Sequence, residues 1–114
     1  MKKSRFQKLL NQTFAQMVEL TASKGEEYAN NAATPDADQH ANFRRLAAEL
    51  GMTDQQVLSV YLTKHIDAIK SYLKVGRVYS EPIEGRIDDA ILYLILLKGM
   101  IVEAKELEMG SPAG

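Results

Sequence analysis

With 114 residues, the chain has room for one modest hydrophobic core and little space for a second domain. Lys plus Arg total 14 against 15 for Asp plus Glu, and the net charge of -1 gives no global attraction for a nucleic-acid backbone. Hydrophobic residues at 46% and charged residues at 25% exclude a disordered or collagen-like chain, and the absence of cysteine excludes disulfides, cysteine zinc sites and thiol nucleophiles.

The first predicted helix runs from Ser4, read as its N-cap, to about Ala22, with Phe6, Leu9, Leu10, Phe14, Met17 and Val18 forming an apolar stripe. The segment Ser23 to Asn31 is polar, and its cluster Lys24, Glu26, Glu27 and Tyr28 taken alone reads as a solvated loop or a helix start. The residues after it, to Asp36, contain Asn, Thr and Pro and read as a loop. A second helix, roughly His40 to Leu50, ends where Gly51 supplies a left-handed residue.

Thr53-Asp54-Gln55-Gln56 is a capping box that opens a third helix reaching about Val75, with Gly76 as its stop. Leu58, Tyr61, Leu62, His65, Ile69 and Tyr72 share one face of that helix. Arg77 to Pro82 reads as a connection, with a short extended piece at Val78-Tyr79. A fourth helix, from Ile83 or Gly85 to about Leu107, is apolar on nearly every side between Ile87 and Val102. Three partner helices hardly cover such a helix, so a second chain is expected against it. The expected architecture is all-α, a compact bundle of about four helices with a helix hairpin in the middle, as an oligomer. Residues 1–109 form its single domain, and 110–114 are a flexible tail.

The N-terminal residues Met1-Lys2-Lys3-Ser4-Arg5 carry the charge of a secretory leader, but polar residues break up the stretch after them. The longest apolar run, Ile91 to Leu97, is far short of the ~20 residues that a membrane span needs. The expectation is a cytoplasmic protein with no membrane partner.

Several residue groups could carry chemistry. Arg45 to Tyr61 has helix-turn-helix spacing, with Ala47, Gly51 and Val57 at the tight positions, although any close helix hairpin needs the same residues. The helix that would read DNA opens with Asp54, which faces phosphate unfavourably, so nucleic acid is an unfavoured partner. His65 lies on an apolar face, as core histidines do, and Lys64 beside it would suit a phosphate. Asp88 and Asp89 follow Arg86 in the first turns of a helix, where acids already favour the macrodipole; Asp89 and Tyr93 are four residues apart and face one site. The nearest approach to the E-x-x-E and E-x-x-D pairs of all-α pyrophosphatases is Glu81/Glu84 with Glu103/Glu106. Both pairs belong to one helix and its lead-in, so they cannot face each other across a cleft. Phosphate-binding glycine loops are absent from the sequence.

Four stretches taken together resemble a family of small phage and prophage proteins catalogued as a nucleotide-modification-associated domain. They are Lys24-Gly25-Glu26-Glu27-Tyr28-Ala29, Ala41-Asn42-Phe43-Arg44, Thr63 to Ile69, and Glu81 to Leu94. The resemblance implies a helical protein that meets a nucleotide through Lys24, Glu27, Tyr28, Asn42, Phe43, Lys64, His65, Arg86, Asp88 or Asp89, and Tyr93. Cations would meet phosphate, rings would stack a base, and carboxylates would accept sugar or base donors. The expected activity is nucleotide binding, including sequestration of a cyclic signalling nucleotide of host antiviral defence, with no catalytic residue, metal ligand or cofactor assigned. The alternative is a magnesium-dependent phosphohydrolase with Glu27 and Asp88 or Asp89 as ligands and His65 as base. A helix-turn-helix regulator is the further alternative.

Overall fold

The computed structural model describes residues 1–28, 38–76 and 82–109, with the backbone alone for 23–28. It is all-α: α1 (Lys3–Tyr28), α2 (Ala41–Leu50), α3 (Asp54–Val75) and α4 (Ile83–Glu108), with no strand among the described residues. None of these helices is long and apolar enough to cross a membrane. The expected loop before Asp36, the extended piece at Val78-Tyr79 and the tail from Gly110 lie outside the described residues. The chain divides into two compact units, Met1–Asn42 and Phe43–Gly114.

In the first unit, two expectations are corrected. The α1 helix begins before Ser4, because the Phe6 amide donates to the Lys2 carbonyl at 3.0 Å and so puts Ser4 inside the helix. It also runs past Ala22 to Tyr28. The hydroxyl of Thr21 donates back to the carbonyls of Met17 and Val18, so this polar group is satisfied within the helix. Beyond it, Lys24, Glu26 and Glu27 are good helix formers, and Gly25 alone costs only about 1 kcal/mol. No proline intervenes before Pro35, so nothing stops the helix at Ala22.

In the second unit, local chemistry sets the helix ends. Gly51 adopts φ 66, and the Met52 amide reaches the Ala47 carbonyl at 3.0 Å, which is the Schellman closure of α2. Thr53 then caps α3: its side chain accepts from the Gln56 amide while the Gln56 side chain accepts from the Thr53 amide. At the other end of α3, Gly76 takes φ 86 and donates to the Tyr72 carbonyl. The Gly51 closure and the Thr53 cap make the central α2–α3 turn a helix hairpin.

The α3 and α4 helices pack against one another and run antiparallel, since Tyr61 meets Tyr93 while His65 meets Asp89. Val57, Leu58 and His65 are the buried residues of α3, and Ala90, Leu92, Leu96 and Met100 those of α4. Phe43 and Ala47 are the buried residues of α2. Each aliphatic side chain of Leu size in this core contributes about 1.5–3 kcal/mol.

Two stability tests follow from this packing. Leu58→Ala, at a fully enclosed position, should cost about 2–5 kcal/mol through lost contacts and a residual cavity. Thr53→Ala should cost about 1 kcal/mol by removing the α3 cap. Urea unfolding monitored by circular dichroism measures both; equal losses would contradict this division between core and cap.

Candidate ligand site

The candidate site arises from two pairs of residues, each spaced one helical turn apart. Tyr61 and His65 are four residues apart on α3, and Asp89 and Tyr93 are four apart on α4. Residues at that spacing project from the same face. Because the two helices are antiparallel, the pairs meet corner to corner.

Tyr93 is the centre of this group. Its ring stacks on His65 with centroids 5.2 Å apart and planes 28° apart, and it lies nearly parallel to Tyr61 at 6.3 Å and 12°. Phe43 approaches both tyrosines edge-on, at 5.7 Å from Tyr61 and 6.3 Å from Tyr93. Offset-stacked and edge-to-face arrangements are those favoured by aromatic quadrupoles, worth about 0.5–1.5 kcal/mol per pair beyond area burial. Burial is graded across the cluster: Phe43 and His65 are enclosed, whereas Tyr61 keeps 40% of its surface exposed.

Asp89 adds a negative charge at the edge of the rings. Its Oδ2 lies 3.9 Å from His65 Nδ1, beyond ordinary hydrogen-bond distance, and the two attract as an ion pair when the imidazole is protonated. The Asp89 side chain is 26% exposed, so it remains within reach of solvent or of a donor on a ligand.

The structure therefore brings together four of the residues picked out from the sequence: Phe43, His65, Asp89 and Tyr93. Arg86 lies on α4 one turn before Asp89 and is half-buried. Lys64 is exposed on α3 and is rotated about 100° from His65 around the helix axis. Asn42, half-buried, is in the first turn of α2 and closes the other compact unit. Lys24, Glu27 and Tyr28 occupy the last turns of α1, where their side chains lie outside the described atoms.

Tyr61 is the member that sequence reasoning does not assign to the site. Its position four residues before His65 on the same α3 face is the available signal. Arg44 ties helices together away from the rings. Its guanidinium meets Glu103 near the end of α4 and lies 3.9 Å from Asp54 at the start of α3. These exposed pairs add little stability, but they engage Asp54 at the end that a DNA-reading helix would present.

Among the described residues, no three His, Asp or Glu side chains converge to hold a metal ion. Glu84 and Glu103 both belong to α4 and stand nineteen residues apart, about 28 Å along its axis, so they do not form opposed carboxylate walls. No family model matches the chain, and neither the curated proteins nor the solved structures contain a match to it.

A substitution pair separates ring stacking from charge at His65. His65→Phe keeps a ring against Tyr93 and should retain stability within about 1 kcal/mol, whereas His65→Ala should lose about 2–4 kcal/mol. Calorimetric unfolding of both variants measures the difference. Equal losses would mean that the imidazole nitrogens, not the ring stack, hold this position.

Proposed function

We propose that the chain is a nucleotide-binding protein of phage type that sequesters its ligand, with the cyclic signalling nucleotides of host antiviral defence among the candidates. The observation that supports this reading best is the graded aromatic cluster of Phe43, Tyr61, His65 and Tyr93 with Asp89 at its edge. A cluster serving only as core filling has no need of an exposed tyrosine face and a solvent-accessible carboxylate. A base laid on that face gains stacking energy, about 1–3 kcal/mol per base. Asp89 would accept from exocyclic amine or ring N–H donors, and Lys64 and Arg86 would meet the phosphates.

The resemblance of four sequence stretches to the phage nucleotide-modification-associated family supports the same reading, and it also points to Lys24, Glu27, Tyr28 and Asn42, which belong to the first compact unit. Binding without turnover, as a homo-oligomer in the host cytoplasm, completes the proposal. Magnesium belongs only to the rival reading, in which a hydrolase would draw on Glu27 and an aspartate of α4.

The test is retention of nucleotides. Purified protein is mixed with a panel of linear and cyclic nucleotides in magnesium or in EDTA, freed of unbound ligand and denatured, and the released compounds are identified by chromatography. Recovery of an intact nucleotide is the expected result. Cleaved product that forms only with magnesium would replace binding with hydrolysis, and retention of nothing would overturn the nucleotide reading and bring protein or DNA partners forward. Tyr61→Ala should weaken binding about 10- to 100-fold, in line with the loss of the exposed stacking platform; unchanged affinity in that variant would remove the aromatic cluster from the site.

A further inference from the structure

The α4 helix has a second apolar face that its packing on α3 does not use. Ala90, Leu92, Leu96 and Met100 are buried, but Ile87, Leu94, Ile95, Ile101 and Val102 each leave more than a third of their surface exposed. Glu84, Ile87, Ile91, Leu94, Lys98, Ile101 and Lys105 succeed one another in alternating steps of three and four residues. That is the heptad spacing of a coiled-coil seam, and here it lies on the side of α4 opposite the buried residues.

The seam extends over about 32 Å, or six helical turns. Its charges are distributed unevenly: Glu84 stands at its N-terminal end, and Lys98 and Lys105 lie in its C-terminal half. All three are exposed, and among the described residues none has an ion-pair partner. A parallel copy would place Lys98 against Lys98 and Glu84 against Glu84. An antiparallel copy reverses this: with Ile91 facing Leu94 of the second copy, each Glu84 falls one turn from Lys98 and one turn from Lys105 of the other chain.

We propose that α4 pairs with α4 of a second copy of this chain in an antiparallel, twofold-symmetric seam, with Glu84 set against Lys98 and Lys105. The occupant is a second copy because the charges on this face complement those of the same face reversed, so that Glu84 of each copy meets the lysines of the other, a self-complementary arrangement that a twofold axis across the helices generates. The lysine within the apolar seam sets the orientation at some cost in affinity, as single polar residues do in coiled coils. The seam lies opposite the buried residues of α4 and away from the face that presents Asp89 and Tyr93 to α3, so dimer formation leaves the aromatic cluster uncovered.

The native chain has no cysteine, so introduced thiols report orientation against a clean background. In the antiparallel seam position 87 faces position 98 of the other copy, while each lies about 16 Å along the axis from its own equivalent. Full-length Ile87→Cys and Lys98→Cys proteins, mixed under mild oxidation, should form the mixed disulfide dimer far more than either forms a dimer with itself. Sedimentation equilibrium should show a dimer for the native chain, and Leu94→Asp should raise its dissociation constant about tenfold or more. Glu84→Lys should weaken the dimer, and the combined Glu84→Lys, Lys98→Glu and Lys105→Glu exchange should restore it. Circular dichroism confirms that each variant remains helical. A monomeric native chain, self-linked Ile87→Cys dimers, or no recovery in the combined exchange would each overturn the proposal.

Discussion

A helix that is apolar on two opposite faces has to satisfy both, and α4 is such a helix. One face carries the buried Ala90, Leu92, Leu96 and Met100, and the packing of α4 on α3 fixes where Asp89 and Tyr93 stand. The other carries Ile87, Leu94, Ile95 and Ile101 outward. Hydrophobic burial is non-directional, so apolar content alone does not decide the register between α3 and α4. Register comes from shape and from the rings: Tyr93 resting on His65, with Tyr61 and Phe43 around it, admits few alternatives.

Local chemistry is the part of the fold that can be read directly from the residues. Thr53 with Gln56, Gly51 and Gly76 each act through a backbone amide or carbonyl a few residues away, so their effect is visible without knowing what packs where. The end of α2 and both ends of α3 follow from signals of that kind. Sequence and structure part where the signal is a weak preference. Ser4 is a good cap by residue type, yet the helix starts earlier because the Lys2 carbonyl already accepts from Phe6. The polar Lys24 to Tyr28 reads from sequence as a solvated loop or a helix start, yet it continues α1, since polar residues do not by themselves end a helix.

The candidate site divides along the same line. His65, Asp89 and Tyr93 are visible as individual residues, and the four-residue spacing of Asp89 and Tyr93 shows that they share a face. Their convergence with Phe43 depends on the antiparallel pairing of helices separated in sequence, a tertiary fact that no local spacing encodes. Tyr61 escapes notice in the sequence for that reason. On α3 alone it is one apolar-face residue among several, and only the approach of Tyr93 makes it the exposed wall of a cluster.

If a ligand lies on this ring cluster, an aromatic and amide NMR titration of the native protein shows it most directly, using the nucleotide retained best. The ring signals of Tyr61, His65 and Tyr93 and the amide of Asp89 should shift together and saturate at one ligand concentration. Shifts confined to other residues, with these four unmoved at saturation, would contradict a site at the rings.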